Sequence, residues 1–143
     1  MSTKAIFAAV ALTAVLIRTD PSMAAGAVAV GQPSDIAKQG VSYRETTNYK
    51  TMDQAKAAAL TGCKANGSDQ SKALCQVVAT FSNQCVAEAY DPQTGTPGFG
   101  WAIGDTTRAA ADQAMANCRS TAGPSRQTAC QIADKVLCDG KAK

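Results

Sequence analysis

Pro97-Gly98-Phe99-Gly100-Trp101-Ala102-Ile103-Gly104-Asp105, the stretch PGFGWAIGD, decides how the rest of the chain is read. Three glycines leading into an alanine-rich segment suggest either a phosphate cradle at a helix N-terminus or a strand with one bare face. The glycines at 98, 100 and 104 miss the G-x-G-x-x-G spacing, and no lysine follows as in a Walker loop. Phe99, Trp101 and Ile103 alternate, so one face is apolar and the other nearly empty. Glycine inside a strand lets another backbone approach closely. The stretch is therefore read as a strand seated under a helix.

The same segment belongs to an internal echo. Thr51-Met52-Asp53-Gln54-Ala55 leading to Cys63 matches Thr106-Thr107-Arg108-Ala109-Ala110 leading to Cys118 at an offset of 55 residues. At that offset Cys75 falls on Cys130, Gln76 on Gln131 and Val77 on Ile132. Ala27 to Val30 aligns with Ala87 to Tyr90, and Val41-Ser42-Tyr43 with Phe99-Gly100-Trp101, after small loop changes. Such self-similarity implies two copies of one supersecondary unit. The fold class expected is α+β, one disulfide-stapled domain over 25–143, built from strand-strand-helix-strand halves at 25–85 and 86–138.

Within each half, Met52, Ala55, Ala59, Leu60 and Cys63 share one helical face, as do Thr107, Ala110, Ala114, Met115 and Cys118. Thr51, with Gln54 three residues on, reads as an N-cap, and Thr106 takes the same place. Cys75, Val77, Ala79 and Phe81 alternate as a strand. The second copy, Cys130 to Val136, repeats this, except that Asp134 stands where Ala79 did and is expected to face inward.

Residues 1–24 read as an export signal: Lys4, a largely apolar run from Ala5 to Ile17, then Ser22-Met23-Ala24, with cleavage expected after Ala24. The run is shorter than the ~20 residues that span a bilayer. Removing Lys4, Arg18 and Asp20 takes the 14 basic and 11 acidic residues to 12 and 10, a net charge of +2. So weak and interspersed a charge does not suggest nucleic acid or an anionic membrane. The expected product is periplasmic or secreted, without membrane insertion.

Six cysteines follow position 24, with no histidine anywhere. In an exported chain an even count reads as a disulfide framework, and zinc sites want closely paired Cys-x-x-Cys or Cys/His ligands that are absent here. The repeated gap of 12 residues points to Cys63 with Cys75 and Cys118 with Cys130, leaving Cys85 with Cys138. Aromatics after the leader are only Tyr43, Tyr49, Phe81, Tyr90, Phe99 and Trp101. Alanine buries little area at ~25 cal/mol per Å², so covalent staples make physical sense.

Without histidine, the usual serine or cysteine triads are unavailable, and no cofactor or metal is expected. Two carboxylates are the remaining enzymatic option, as in glycoside hydrolysis. Glu88, Asp91, Asp105 and Asp134 are the candidates: Asp91 precedes Pro92 in a turn, Asp105 flanks a helix cap, Glu88 lies in a strand with one wet face, and inward-facing Asp134 is the unusual one. The polar loops 64–74 and 119–129 present Lys64, Lys72, Arg119 and Arg126 at similar places and are read as a candidate binding surface. Asn66-Gly67-Ser68 is a glycosylation sequon, relevant only where exported proteins are glycosylated.

Gly26-Ala27-Val28-Ala29-Val30, the Thr-led alanine helices closing in Cys63 and Cys118, the run from Cys75 to Cys85, Gly98-Phe99-Gly100-Trp101 and Cys138 together resemble the bacterial exported family termed domain of unknown function 4189. The resemblance covers nearly the whole chain after the leader. It implies a secreted bacterial protein with a duplicated α+β domain, and it implies no activity and no site residue. The function expected is a small non-enzymatic binding or inhibitor-type protein of the bacterial envelope, for instance an immunity protein with a toxin or hydrolase as partner. The alternatives are a carboxylate-based enzyme acting on envelope glycans and an envelope stress protein without a single ligand.

Overall fold

The computed structural model describes residues 24–143, so the expected leader lies outside the described residues except for Ala24. In the first unit, strand β1 (Ala25–Gly31) is followed by the short helix α1 (Ile36–Gln39), β2 (Ser42–Tyr49), helix α2 (Met52–Ala65), the short α3 (Asp69–Ala73) and β3 (Gln76–Phe81). The second contains β4 (Cys85–Tyr90), β5 (Phe99–Gly104), helix α4 (Thr107–Thr121), a 3-10 turn at Gln127–Ala129, and the two-residue strands β6 (Gln131–Ile132) and β7 (Leu137–Cys138). The protein is α+β with two antiparallel sheets, ordered β2-β1-β3 and β5-β4-β6, with β7 also on β4. In both, the first strand is central, the second takes one edge, and the third lies beyond the helix in sequence and takes the other edge.

Alternation along the strands sorts side chains into layers. Ala25, Ala27 and Ala29 of β1 pack on Ala55, Ala59 and Cys63 of α2. Cys85, Ala87, Ala89 and Ala102 pack on Ala110, Ala114 and Cys118 of α4. The opposite faces meet each other: Val28, Val30 and Phe81 of the first sheet lie against Val86 and Phe99 of the second, with Tyr43, Trp101, Ile103 and Leu137 alongside. The order of layers is thus helix, sheet, sheet, helix. PGFGWAIGD supplies β5, whose apolar face enters the inter-sheet layer. A Cβ on Gly100 would lie 2.3 Å from the Cys118 nitrogen and 2.7 Å from the Ala114 carbonyl oxygen, so α4 rests directly on strand backbone.

Both long helices start as the threonines imply: the Gln54 N–H donates to the Thr51 hydroxyl (3.2 Å) and the Ala109 N–H to that of Thr106 (3.1 Å). The bridges are Cys63–Cys75, Cys85–Cys138 and Cys118–Cys130.

Two expectations are corrected. Cys130 to Val136 does not form a continuous strand: β6 stops at Ile132, and Asp134 turns the chain at φ 23°. Asp134 is therefore exposed, not inward-facing. The loops 64–74 and 119–129 are not plain polar connections either, since they contain α3 and the 3-10 turn.

The fully buried carboxylate is Asp139. One oxygen accepts the Asn48 N–H (2.6 Å) and the other the Asn83 N–H (3.2 Å), while the Asp139 N–H donates to the Gln84 carbonyl (2.8 Å). Asn48 and Asn83 both have left-handed backbones, at φ 61° and 53°. Asparagine tolerates that conformation better than most residues. This clasp joins the end of β2, the β3–β4 turn and the chain after β7.

Candidate functional site

Glu88 is the one charged residue in β4, between Ala87 and Ala89, which face α4. The alternation directs it into the inter-sheet layer, half-buried with Glu45 of β2, and not onto the wet face expected from the sequence, because the first sheet covers that side of β4. Burial pushes its carboxyl up to about 7, and the charges of Glu45 and Asp134 add to the effect. Glu45, Asp134 and Lys135 line a cleft of about 100 Å³ with Glu88. Nearby, the buried hydroxyl of Tyr43 finds no hydrogen-bond partner among the described residues, and its ring meets Phe99 edge-on at 5.8 Å. Desolvation, with Glu45 and Glu88 adding to it, raises the Tyr43 phenol, so it stays protonated.

Glu88 also lines a larger groove of about 500 Å³. One wall is α1 with Gly40 and Val41, reached by Ser68 from the α2–α3 connection. The other is the end of β4 and the 91–98 loop, with Tyr90 exposed. The loop is anchored from below. Asp91 is buried and accepts two bonds from Arg126, Nε at 2.7 Å and Nη2 at 2.5 Å, plus the Gln93 N–H at 3.0 Å. The Arg126 guanidinium foremost holds the Asp91 carboxyl down at about 2. A bidentate pair of this kind fixes geometry as well as charge.

The sequence-selected residues are thereby separated. Glu88 and Asp134 come together at the small cleft, joined by Glu45, while Glu88 and Asp91 share the large groove. Asp105 stands apart, exposed and bonded to the Gln84 amide (3.0 Å). Of the proposed display cations, Arg126 is committed to Asp91 and Lys72 sits 3.7 Å from Asp69, while Lys64 and Arg119 are exposed at helix ends. Two of the four loop cations are thus held by the protein's own carboxylates. Among the described residues no cluster of three or more His, Cys, Asp or Glu fits a metal ion.

A family model described as a domain of unknown function (DUF4189) matches residues 25–137. The chain belongs to this family. No curated protein and no solved structure matches it. The DUF4189 match runs from the first residue of β1 to the first of β7, and so includes both walls of the groove and the whole inter-sheet layer, but not Asp139.

Glu45 and Tyr43 were not singled out by sequence reasoning. Their signal is the alternation Tyr43-Arg44-Glu45-Thr46, which places 43 and 45 on one face, but nothing local says that this face is covered by a second sheet. A lone carboxylate in the apolar run Cys85 to Tyr90 was the better pointer, because a central strand has no solvated face once a helix covers one side and a sheet the other. Among the described residues no helix is long and apolar enough to cross a membrane.

Proposed function

We propose that this DUF4189 protein is a non-enzymatic recognition module that works outside the cytoplasm, periplasmic or secreted, and that the groove between α1 and the 91–98 loop is its binding surface. The observation that carries this reading is the groove itself: loops held on a triply bridged scaffold, an exposed Tyr90, and a rim fixed by the Asp91–Arg126 pair. Concave sites with a few convergent polar groups are where ligands bind. Export is supported by three disulfides, which persist in oxidising compartments, and by the leader-like residues 1–24. Amide chemical-shift mapping against fractionated envelope extract tests the proposal. Shifts clustered on the groove and lost in Tyr90→Ala are expected, whereas shifts confined elsewhere, or unchanged in the variant, would overturn it.

A second reading draws on one specific observation, the carboxyl of Glu88 raised to about 7 beside Glu45 and Asp134. A raised acid beside a second carboxylate is the equipment of glycoside hydrolysis. On that reading, cleavage of envelope glycans is abolished by Glu88→Gln and by Glu45→Gln. Cleavage surviving both changes removes it.

A further inference from the structure

We infer that the groove accepts an uncharged saccharide, with Tyr90 as the stacking face for a sugar ring. The inference rests on the reading of the groove as the recognition surface and narrows its ligand. Three charged side chains line the groove, and each is compensated within the protein. Lys38 lies 3.1 Å from Asp35, Asp91 is doubly bonded to Arg126, and burial keeps Glu88 substantially protonated up to about neutral pH. Lys38 stays 83% exposed in its surface pair. With Asp35, Arg126 and the protonated Glu88 counted, the lining is nevertheless close to neutral overall, so the complementary charge that usually selects a phosphate, a polyanion or a charged peptide is small.

What remains on the walls is neutral and two-sided in hydrogen bonding. Gln39 and Gln93 carry amides, and Thr94 carries a hydroxyl on the exposed loop. Such groups both donate and accept, as sugar hydroxyls do. Tyr90, 37% exposed, offers an aromatic face with a polar tip, the amphipathic surface on which the C–H face of a pyranose can lie while its hydroxyls reach the amides. The volume of about 500 Å³ has room for a short oligosaccharide.

The oxidised protein is titrated, by calorimetry and amide shifts, with chitotetraose, cellotetraose and maltotetraose, with an oligogalacturonate as anionic counterpart, and with an unstructured neutral peptide. The expected result is saturable binding of at least one neutral oligosaccharide with shifts in the groove, at least tenfold weaker in Tyr90→Ala. Binding is expected to be unchanged in Lys56→Ala on the outer side of α2, with the sugar recovered intact. Preference for the oligogalacturonate, or binding of the peptide in the groove with no neutral sugar bound, would overturn the saccharide and leave the groove as a recognition surface. Absence of groove shifts with every probe would overturn the saccharide, and the groove itself falls only if the envelope-extract mapping also leaves it unshifted.

Discussion

Replacing Glu88 with glutamine isolates the carboxyl that burial between the sheets raises furthest. Unfolded, this group titrates at its ordinary 4.5, and folded at about 7. Between those values the native state holds a proton that the unfolded chain has released. Stability changes with pH as 2.303RT times the protons bound unfolded minus native, so it falls as pH rises through this window and levels off above it. At about 1.4 kcal/mol per pH unit the interval caps the loss at about 3 kcal/mol. Residual solvent access to a half-buried group brings the expected value to roughly 1–3 kcal/mol. Glu88→Gln is isosteric and carries no charge, so it should match the wild type near pH 4 and exceed it by that amount at pH 8. The assay is urea unfolding of both proteins from pH 4 to 8.5, analysed as the difference between them, which cancels every group they share. In thermal melts the gap at pH 8 should be several degrees, at roughly 3–5 °C per kcal/mol for a domain of this size. A difference curve flat from pH 4 to 8.5 would refute the placement of Glu88 between the sheets.

Gly100→Ala forces a methyl into the backbone of α4 and should cost about 2–3 kcal/mol in urea unfolding, whereas a change under 0.5 kcal/mol would mean the helix does not rest on β5. Replacing both cysteines of one bridge by alanine should cost about 3 kcal/mol for Cys63–Cys75 and about 4 kcal/mol for Cys85–Cys138, following the enclosed loop lengths of 12 and 53 residues and measured as the shift in denaturation midpoint. Asp139→Ala leaves the Asn48 and Asn83 N–H groups without their acceptor and should cost about 1–3 kcal/mol, with faster hydrogen exchange at both amides. Arg126→Gln should raise the Asp91 carboxyl from about 2 toward its ordinary 3.8, read by carboxyl carbon NMR.

Much of the fold was legible because its signals are local. Threonine caps, alanine faces ending in cysteine and the alternation of Phe99, Trp101 and Ile103 each fix an element within a dozen residues, and the recurring gap of 12 between cysteines fixes two bridges. The stacking of one sheet on the other was not legible, since Val28 and Val86 announce burial without saying what buries them. Asp134 misled because strand alternation was extended through a residue that instead reverses the chain. Asp139 gave no signal, because its partners Asn48 and Asn83 lie 91 and 56 residues away and the need for an acceptor arises only when their backbones turn left-handed. The groove was half visible: Glu88 and Asp91 were noticed, but the loops chosen for display were those at the helix ends.

The groove draws one wall from each sheet-and-helix unit, with Ile36 to Val41 on one side and Tyr90 to Gly98 on the other. An occupant touching both walls acts as a strut across the protein. By touching both walls it adds to the coupling that the shared inter-sheet layer already provides, so loading should raise the midpoint of the single unfolding transition in step with ligand concentration.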